Sequence, residues 1–483
     1  MGDSKILFRK FGMIGFANFI FSLNSIILLP VLTKNLSVKE YGIWAQITVF
    51  LGFAPTILLF GLQYSMARFI PSLQERNDIQ ELFYSILFFV ETMCIFASIT
   101  IYTFSETISF LFFDGEIAIV HLLSIIILIE PLNVSLLHFF RSMQETKKYT
   151  IFLLTQTLIH IFLVSTAVLL DKGIYGATLA ILIRGILMNG IMFLFMLKEI
   201  GFKIPRFNFL KENIAFGLPT MPSELSTWIV NSSDRFIISF ILGAVYVGYY
   251  APAYIFGNNI IFAIITPISL ILPPFLAKRY DENKLKDVSN ILEHSLKYFL
   301  FIGIPATFGL FFLSKTLLSL LTTTEIASQS YLVLSITVLS TLLFGIFTII
   351  NQIAILNKKT KVIGKIWLFS AVFKVIFNFL MIPRLGILGA AIVTLFIFML
   401  SLYITTKYCF KIMKLNIDYK FIIKSLLASF VMSIFLLKIE PVGFIQFFAS
   451  VVASALIYFM IMVVLKAFEK KELIYFKALL FKN

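Results

Sequence analysis

An all-α integral membrane protein with about fourteen transmembrane helices is the fold class this sequence predicts, on three observations. Of its 483 residues, 59% are hydrophobic and only 13% charged, where a soluble domain carries roughly 45–50% and 25%. Apolar blocks of the ~20 residues that a bilayer core requires recur from Phe11 to Lys466 with short polar breaks. Long apolar runs such as Leu122 to Ile129 and Ile260 to Leu272 lack the strict alternation, over ~10-residue segments, of a membrane β-barrel.

Taken in order, the apolar blocks start near residues 11, 42, 82, 117, 150, 174, 214, 246, 294, 330, 360, 385, 420 and 442. Lys and Arg near the spans set orientation. With the N-terminus inside, the cytoplasmic segments hold thirty of the 40 basic residues and the opposite side six. Both termini are therefore expected in the cytoplasm, with an even span count. The first block follows a basic stretch, but it is about 20 residues long and has no small-residue cleavage site, so it reads as an uncleaved anchor. Orientation also accounts for the net charge of +15, and no nucleic-acid partner is implied. Cys94 and Cys409 offer neither a disulfide framework nor metal-ligand spacing. No Walker A motif, paired metal-ligand motif or large catalytic loop interrupts the blocks. These absences point to a secondary transporter or facilitator without cofactor or metal, and away from an enzyme.

An internal repeat organises the blocks. Leu36 to Ala45 matches Leu242 to Ala251 at an offset of 206, including Gly42 with Gly248, and Phe69 falls on Phe275. Gly173-Ile174-Tyr175-Gly176-Ala177 matches Gly386-Ile387-Leu388-Gly389-Ala390 at an offset of 213, and Gln144 to Lys148 matches Asn357 to Lys361. Six spans per unit make the repeat parallel, related by an axis along the bilayer normal. The expected organisation is a six-helix lobe over 1–205, a second over 206–410, and a further helix pair with a basic cytoplasmic tail over 411–483. Two such lobes form a V around a central cleft.

Polar residues inside the spans mark the candidate site. In the first span Gly15, Asn18, Ser22 and Ser25 share a face, which serves either close packing or a hydrophilic wall. The seventh carries Glu224, Trp228, Asn231 and Arg235 at steps of 4, 3 and 4. Exposing that face to lipid is costly, so it reads as a cavity or gate wall, with pairing of Asp234 or Arg235 to another helix as the plainer alternative. Those two neighbours point about 100° apart and require separate partners. The eighth span places Tyr250, Tyr254 and Asn258 on one face, with Thr266-Pro267 and Pro273-Pro274 expected to interrupt the helix. The eleventh aligns Trp367, Ser370, Lys374 and Asn378. Lys374, Arg184 and His160 fall near the midplane, either as ligand or coupling groups or as structural partners of the carboxylates Glu91 and Glu130.

The ordered set Phe8-Arg9-Lys10, Leu36 to Trp44, Gly61 to Ile70, Asn231 to Phe236, Gly248-Tyr249-Tyr250 and Asn378 to Ala391 resembles the polysaccharide flippases of the multidrug/oligosaccharidyl-lipid/polysaccharide exporter superfamily. The resemblance implies translocation of a polyprenyl-(pyro)phosphate-linked oligosaccharide to the outer leaflet of the cell membrane by alternating access. Its implied partners are the lipid-linked glycan, membrane lipids, and the polymerase and chain-length machinery of surface polysaccharides such as O-antigen. A pyrophosphate cannot cross hydrocarbon bare, so Arg184, Arg235 and Lys374 become candidates for the anion, and Glu224, Asn231, Tyr254, Asn258, Asn18, Trp367 and Asn378 for the cavity. His160, Glu91, Glu130 and Asp234 become candidates for coupling. The sequence departs from relatives that flip a cell-wall lipid, which concentrate arginines in the first, second and eighth spans. Here those spans carry Asn18, Ser22, Gln63 and Tyr254, with Arg68 only at a cytoplasmic end. A cation-coupled multidrug exporter of the same superfamily is the alternative that Glu91 and Glu130 keep open.

Overall fold

The computed structural model describes residues 20, 24–439, 441 and 443–467; Gly15, Asn18, Ser22 and the opening Phe8-Arg9-Lys10 lie outside them. By contact the chain divides into two compact units. The first runs to Ile255 and adds Trp367–Val393; the second holds Phe256–Ile366 and the chain from Thr394 onward.

In the first unit, α1 (24–35) is followed by α2 (Val38–Leu58), α3 (Leu62–Phe69), α4 (Arg76–Thr103), α5 (Ser105–Phe112) and α6 (Ile117–Ser142). Then come α7 (Thr146–Leu169), α8 (Gly173–Ile200), α9 (Leu210–Gly217), α10 (Met221–Leu242) and the beginning of α11 (Ala244–Asp281). α2 starts where it does because Ser37 and Glu40 form a reciprocal capping box, which satisfies two otherwise orphaned N–H groups. Behind it, α3, α4, α6 and α8 close on a core of Leu62, Met66, Phe83, Phe139, Phe140 and Met192. Ring contacts such as Phe83–Phe139 at 4.7 Å lock that core.

The two glycines matched at the 206-residue offset meet each other. A Cβ on Gly42 would fall 1.9 Å from the Ala244 carbonyl oxygen, and one on Gly248 would fall 2.1 Å from that of Val38. Since 38 and 244 are themselves related by the same offset, the contact is reciprocal, as in an isologous interface. Only glycine permits the two backbones to approach so closely.

The second unit contains the rest of α11, α12 (Leu285–Leu321), α13 (Thr324–Ile350), α14 (Gln352–Leu356), parts of α15 (Thr360–Cys409), α16 (Tyr419–Leu437) and α17 (Gly443–Val464). Thr323 and Asp418 cap α13 and α16. Prolines expected to interrupt the eighth span do not: α11 is continuous through Pro267, Pro273 and Pro274. Membrane helices tolerate proline because local adjustments and neighbouring helices re-satisfy the freed backbone groups.

Eleven of the described helices are long and apolar enough to cross a membrane. At 1.5 Å per residue, the fifty residues of α15 reach about 75 Å, more than twice the ~30 Å of bilayer hydrocarbon. The chain leaves helical geometry within α15 at Gly386, with φ of 59°. Its repeat counterpart Gly173, φ 57°, opens α8.

Candidate functional site

The polar centre of the first unit is built from α10, the beginning of α11 and the middle of α15. Lys374 is 0% exposed, and its ammonium donates to the Val230 carbonyl and lies 3.4 Å from Asp234 Oδ2. Tyr250 donates its hydroxyl to the same carboxylate oxygen at 2.5 Å, while Asp234 Oδ1 accepts the Arg235 N–H at 2.9 Å. Asp234, also 0% exposed, is thus surrounded by donors. A buried ion pair contributes little net stability, but removing one member leaves a bare charge in a low dielectric.

Arg235 does turn elsewhere, as the helix geometry requires. Its guanidinium lies over the Tyr254 ring, 4.6 Å from the centroid, a cation–π contact. Tyr254 stacks on Tyr250 with centroids 5.4 Å apart and donates to the Asn231 carbonyl at 3.1 Å. From α2, the Gln46 amide donates to the Arg235 carbonyl at 2.9 Å. The face Glu224, Trp228, Asn231, Arg235 is half-buried along its whole length, whereas Asp234 points inward. Trp228 packs against Phe53 at 4.5 Å, the Asn231 side chain donates to the Thr227 carbonyl, and the Tyr64 hydroxyl donates to Glu224.

A second ion pair joins α6 and α8, where Arg184 binds Glu130 directly. One turn away on each helix, Asn133 donates to Asn189 at 2.8 Å and Asn189 to the Ile129 carbonyl at 2.8 Å. Geometry places a carboxylate beside each of these two cations: Arg184 holds Glu130, one of the two partners expected, whereas Lys374 holds Asp234 and neither Glu91 nor Glu130. His160 stacks on Trp44 at 6.1 Å. Of the candidate residues, Glu91 through Oε1, His160 through Nδ1, Arg184 and Arg235 through Nε, and Asn378 through both side-chain atoms have buried polar atoms with no hydrogen-bond partner among the described residues. Asn378 is fully buried one turn from Lys374, and Trp367 is also buried. Asn258 belongs to the second unit and accepts from Thr341 at 3.1 Å. Asn18 lies outside the described residues. Among the described residues no cluster of His, Cys, Asp and Glu could hold a metal.

Sequence reading overlooked Tyr64, Gln46 and the Val230 carbonyl. A backbone acceptor leaves no mark in a sequence, and Gln46 sits in an otherwise apolar turn. Tyr64 had a readable signal, four residues before Arg68 on a short amphipathic segment.

The second unit holds an apolar cavity of about 580 Å³ between α11, α12, α16 and α17, lined by Phe256, Phe301, Pro305, Leu310, Phe447 and Val451 among others. Its polar residues are Ser454, whose hydroxyl is tied to the Ser450 carbonyl, and Tyr458, which bonds Ser425 and the Phe301 carbonyl.

A family model described as polysaccharide biosynthesis protein matches residues 31–330. No curated protein matches the chain. Among solved structures, "Lipid II flippase MurJ, inward closed conformation" superposes with a TM-score of 0.76 at 18% identity, covering 95% of this chain and 98% of that one. An inward-facing multidrug resistance MATE family transporter of the MOP superfamily gives 0.64 at 15% identity over 80% of this chain and 93% of its own. The MATE multidrug transporter DinF-BH gives 0.57 at 13% identity, covering 84% and 95%. At these identities the likeness is one of fold.

Proposed function

Because the chain belongs to the polysaccharide biosynthesis protein family, with the fold of the multidrug/oligosaccharidyl-lipid/polysaccharide exporters, we propose that it flips a polyprenyl-(pyro)phosphate-linked oligosaccharide across the cell membrane by alternating access, in the assembly of a surface polysaccharide such as O-antigen. Family and fold are those of transporters and flippases, not of catalytic enzymes, and the protein is a multi-pass membrane protein.

The observation that carries the finer reading is the apolar cavity of the second unit. A prenyl chain needs such a surface, since each buried methylene contributes about 0.8 kcal/mol. The first unit supplies the complementary chemistry: a half-buried face of Glu224, Trp228, Asn231 and Arg235, with an indole for the apolar side of a sugar ring and acceptors and donors for its hydroxyls. Tyr254, Asn258, Asn18, Trp367 and Asn378 extend the proposed cavity set. Arg184 and Lys374 contribute their charge together with the carboxylates that hold them. Asp234, Glu130, Glu91 and His160 are the proposed coupling groups, because a proton or cation arriving at a buried carboxylate would release its partner. In this reading 1–205 and 206–410 act as parallel lobes, 411–483 is an added segment, and both termini face the cytoplasm of the inner membrane. The polymerase and chain-length machinery would receive the product.

The test is translocation in inverted vesicles prepared from cells with and without the protein. The proposal expects lipid-linked glycan to accumulate on the cytoplasmic side without it and to be restored by the wild-type chain. Unchanged glycan together with reduced efflux of cationic dyes would replace the flippase with the multidrug exporter.

A further inference from the structure

Lys374, Arg184 and Arg235 all lie well inside helices of the first unit, but they are not equivalent. Lys374 is balanced by Asp234 and Arg184 by Glu130. The Arg235 guanidinium makes neither an ion pair nor a hydrogen bond with any described residue, and its Nε is buried without an acceptor. What holds it is the Tyr254 ring, 4.6 Å from its centre, with Tyr250 stacked beyond. A cation–π contact supplies less than removing a charge from water costs, and it leaves the N–H donors of the fork unspent. Asp234, the neighbouring carboxylate, faces Lys374 instead. Glu224, the next along the same face, lies eleven residues back, about 16 Å along the helix, and receives the Tyr64 hydroxyl.

Position separates Arg235 from the charges that orient the chain, which gather at span ends. It stands fourteen residues into α10, about 21 Å from the start of the helix. α10 is 22 residues long yet is not among the helices apolar enough to cross a membrane. Its accessible stripe carries Ser223, Glu224, Thr227, Trp228, Asn231 and Arg235. Such a stripe is costly to place against hydrocarbon, so it faces water or a polar ligand. The unspent fork calls for an anion. Guanidinium pairs bidentately with two coplanar oxygens, and one guanidinium balances one negative charge. A carboxylate meets both conditions, whereas a pyrophosphate carries more charge than this stripe supplies, the other two cations being balanced already. Asn231 and Trp228, one and two turns before Arg235, set an amide and an aromatic ring beside the fork, suited to the hydroxyls and ring of a sugar. We infer that Arg235 is the receptor for a sugar carboxylate, and that the oligosaccharide moved by this protein is an acidic one of the uronic-acid class. The inference rests on the flippase reading and adds the charge and kind of its glycan.

The experiment uses the full chain in phosphatidylcholine nanodiscs and follows tryptophan fluorescence during titration. The probes are polyprenyl pyrophosphate alone and two polyprenyl-pyrophosphate-linked disaccharides, one ending in glucuronate and one with that carboxylate reduced to the alcohol. Wild type is expected to bind the glucuronate form at least about tenfold more tightly than the reduced form, the scale of one charged hydrogen bond. Arg235→Gln should bring the two to equal affinity by weakening only the acidic one, and Arg235→Lys should keep part of the preference. The wild-type comparison stands even where a variant fails to fold: equal binding of the two disaccharides overturns the acidic assignment and leaves the flippase intact. A preference that survives Arg235→Gln overturns Arg235 as the receptor. A folded Arg235→Gln protein that loses both disaccharides and bare polyprenyl pyrophosphate to the same extent makes Arg235 a phosphate contact and overturns the proposal as well. Wild type that binds neither disaccharide counts against the flippase reading itself.

Discussion

The two compact units solve opposite problems. The interior of the first is knit by charge: Lys374 with Asp234, Arg184 with Glu130, and Arg235 over Tyr254. The second carries an apolar cavity whose two polar residues are satisfied by Ser425, Ser450 and the Phe301 carbonyl, and its ion pairs Arg279–Asp287 and Lys284–Glu282 lie at helix ends. An amphiphile with a charged, hydroxyl-rich head and a hydrocarbon tail needs both kinds of surface.

The comparison breaks most severely at the buried pair. Asp234→Asn or Lys374→Met alone should destabilise the detergent-solubilised protein by about 3–5 kcal/mol, because one charge remains buried without its partner. The double replacement should recover most of that loss. Thermal unfolding of the four proteins in a double-mutant cycle checks it, and additive losses would mean that the two groups do not act as a pair.

Arg184→Gln is expected to cost less, roughly 1–3 kcal/mol for an unmade charged hydrogen bond, since that pair keeps 12% exposure on each side chain and water can relieve Glu130. Gly42→Ala should fall in the same range, as overpacking typically costs about 1–3 kcal/mol. Its Cβ would meet a backbone carbonyl that can move only with the helix. Transport should fall with stability in that variant, measured as surface glycan at matched expression.

The second unit sharpens the contrast from the other side. A Cβ on Gly309, which lines the apolar cavity, meets nothing within 4 Å, so Gly309→Leu should leave stability within about 1 kcal/mol of wild type. It should nevertheless reduce flipping of long-chain carriers more than of short-chain ones, read by comparing the two in reconstituted vesicles. Equal reductions would remove the cavity from the tail's path. The smallest effect belongs to Tyr64→Phe, which removes one donor from a half-buried carboxylate and should shift stability by about 0.5–1 kcal/mol.

Much of the fold is legible in the sequence because membrane helices announce themselves by length and apolarity. The polar face of α10 is readable from the 4, 3, 4 spacing of Glu224, Trp228, Asn231 and Arg235, and the divergence of Asp234 from Arg235 follows from 100° per residue. The matched glycines Gly42 and Gly248 are visible as a repeat, but their mutual contact is not, since an offset says nothing of what touches what. Lys374 stands out in the sequence as a cation well inside an apolar span, while its acceptor at Val230 is a backbone atom that any residue would supply. The continuity of α11 escapes a reading that weighs proline by its own missing N–H alone, because what a membrane helix does at a proline depends on the neighbours that re-satisfy the freed carbonyl.

The most direct measurement is transbilayer movement of a fluorescent polyprenyl-pyrophosphate-linked oligosaccharide in liposomes containing the purified protein, read by quenching from outside. The account expects protein-dependent equilibration of the label between leaflets and none with the matching polyprenol-free oligosaccharide. A label that stays in its leaflet, in liposomes where the same protein moves a cationic dye, would contradict it.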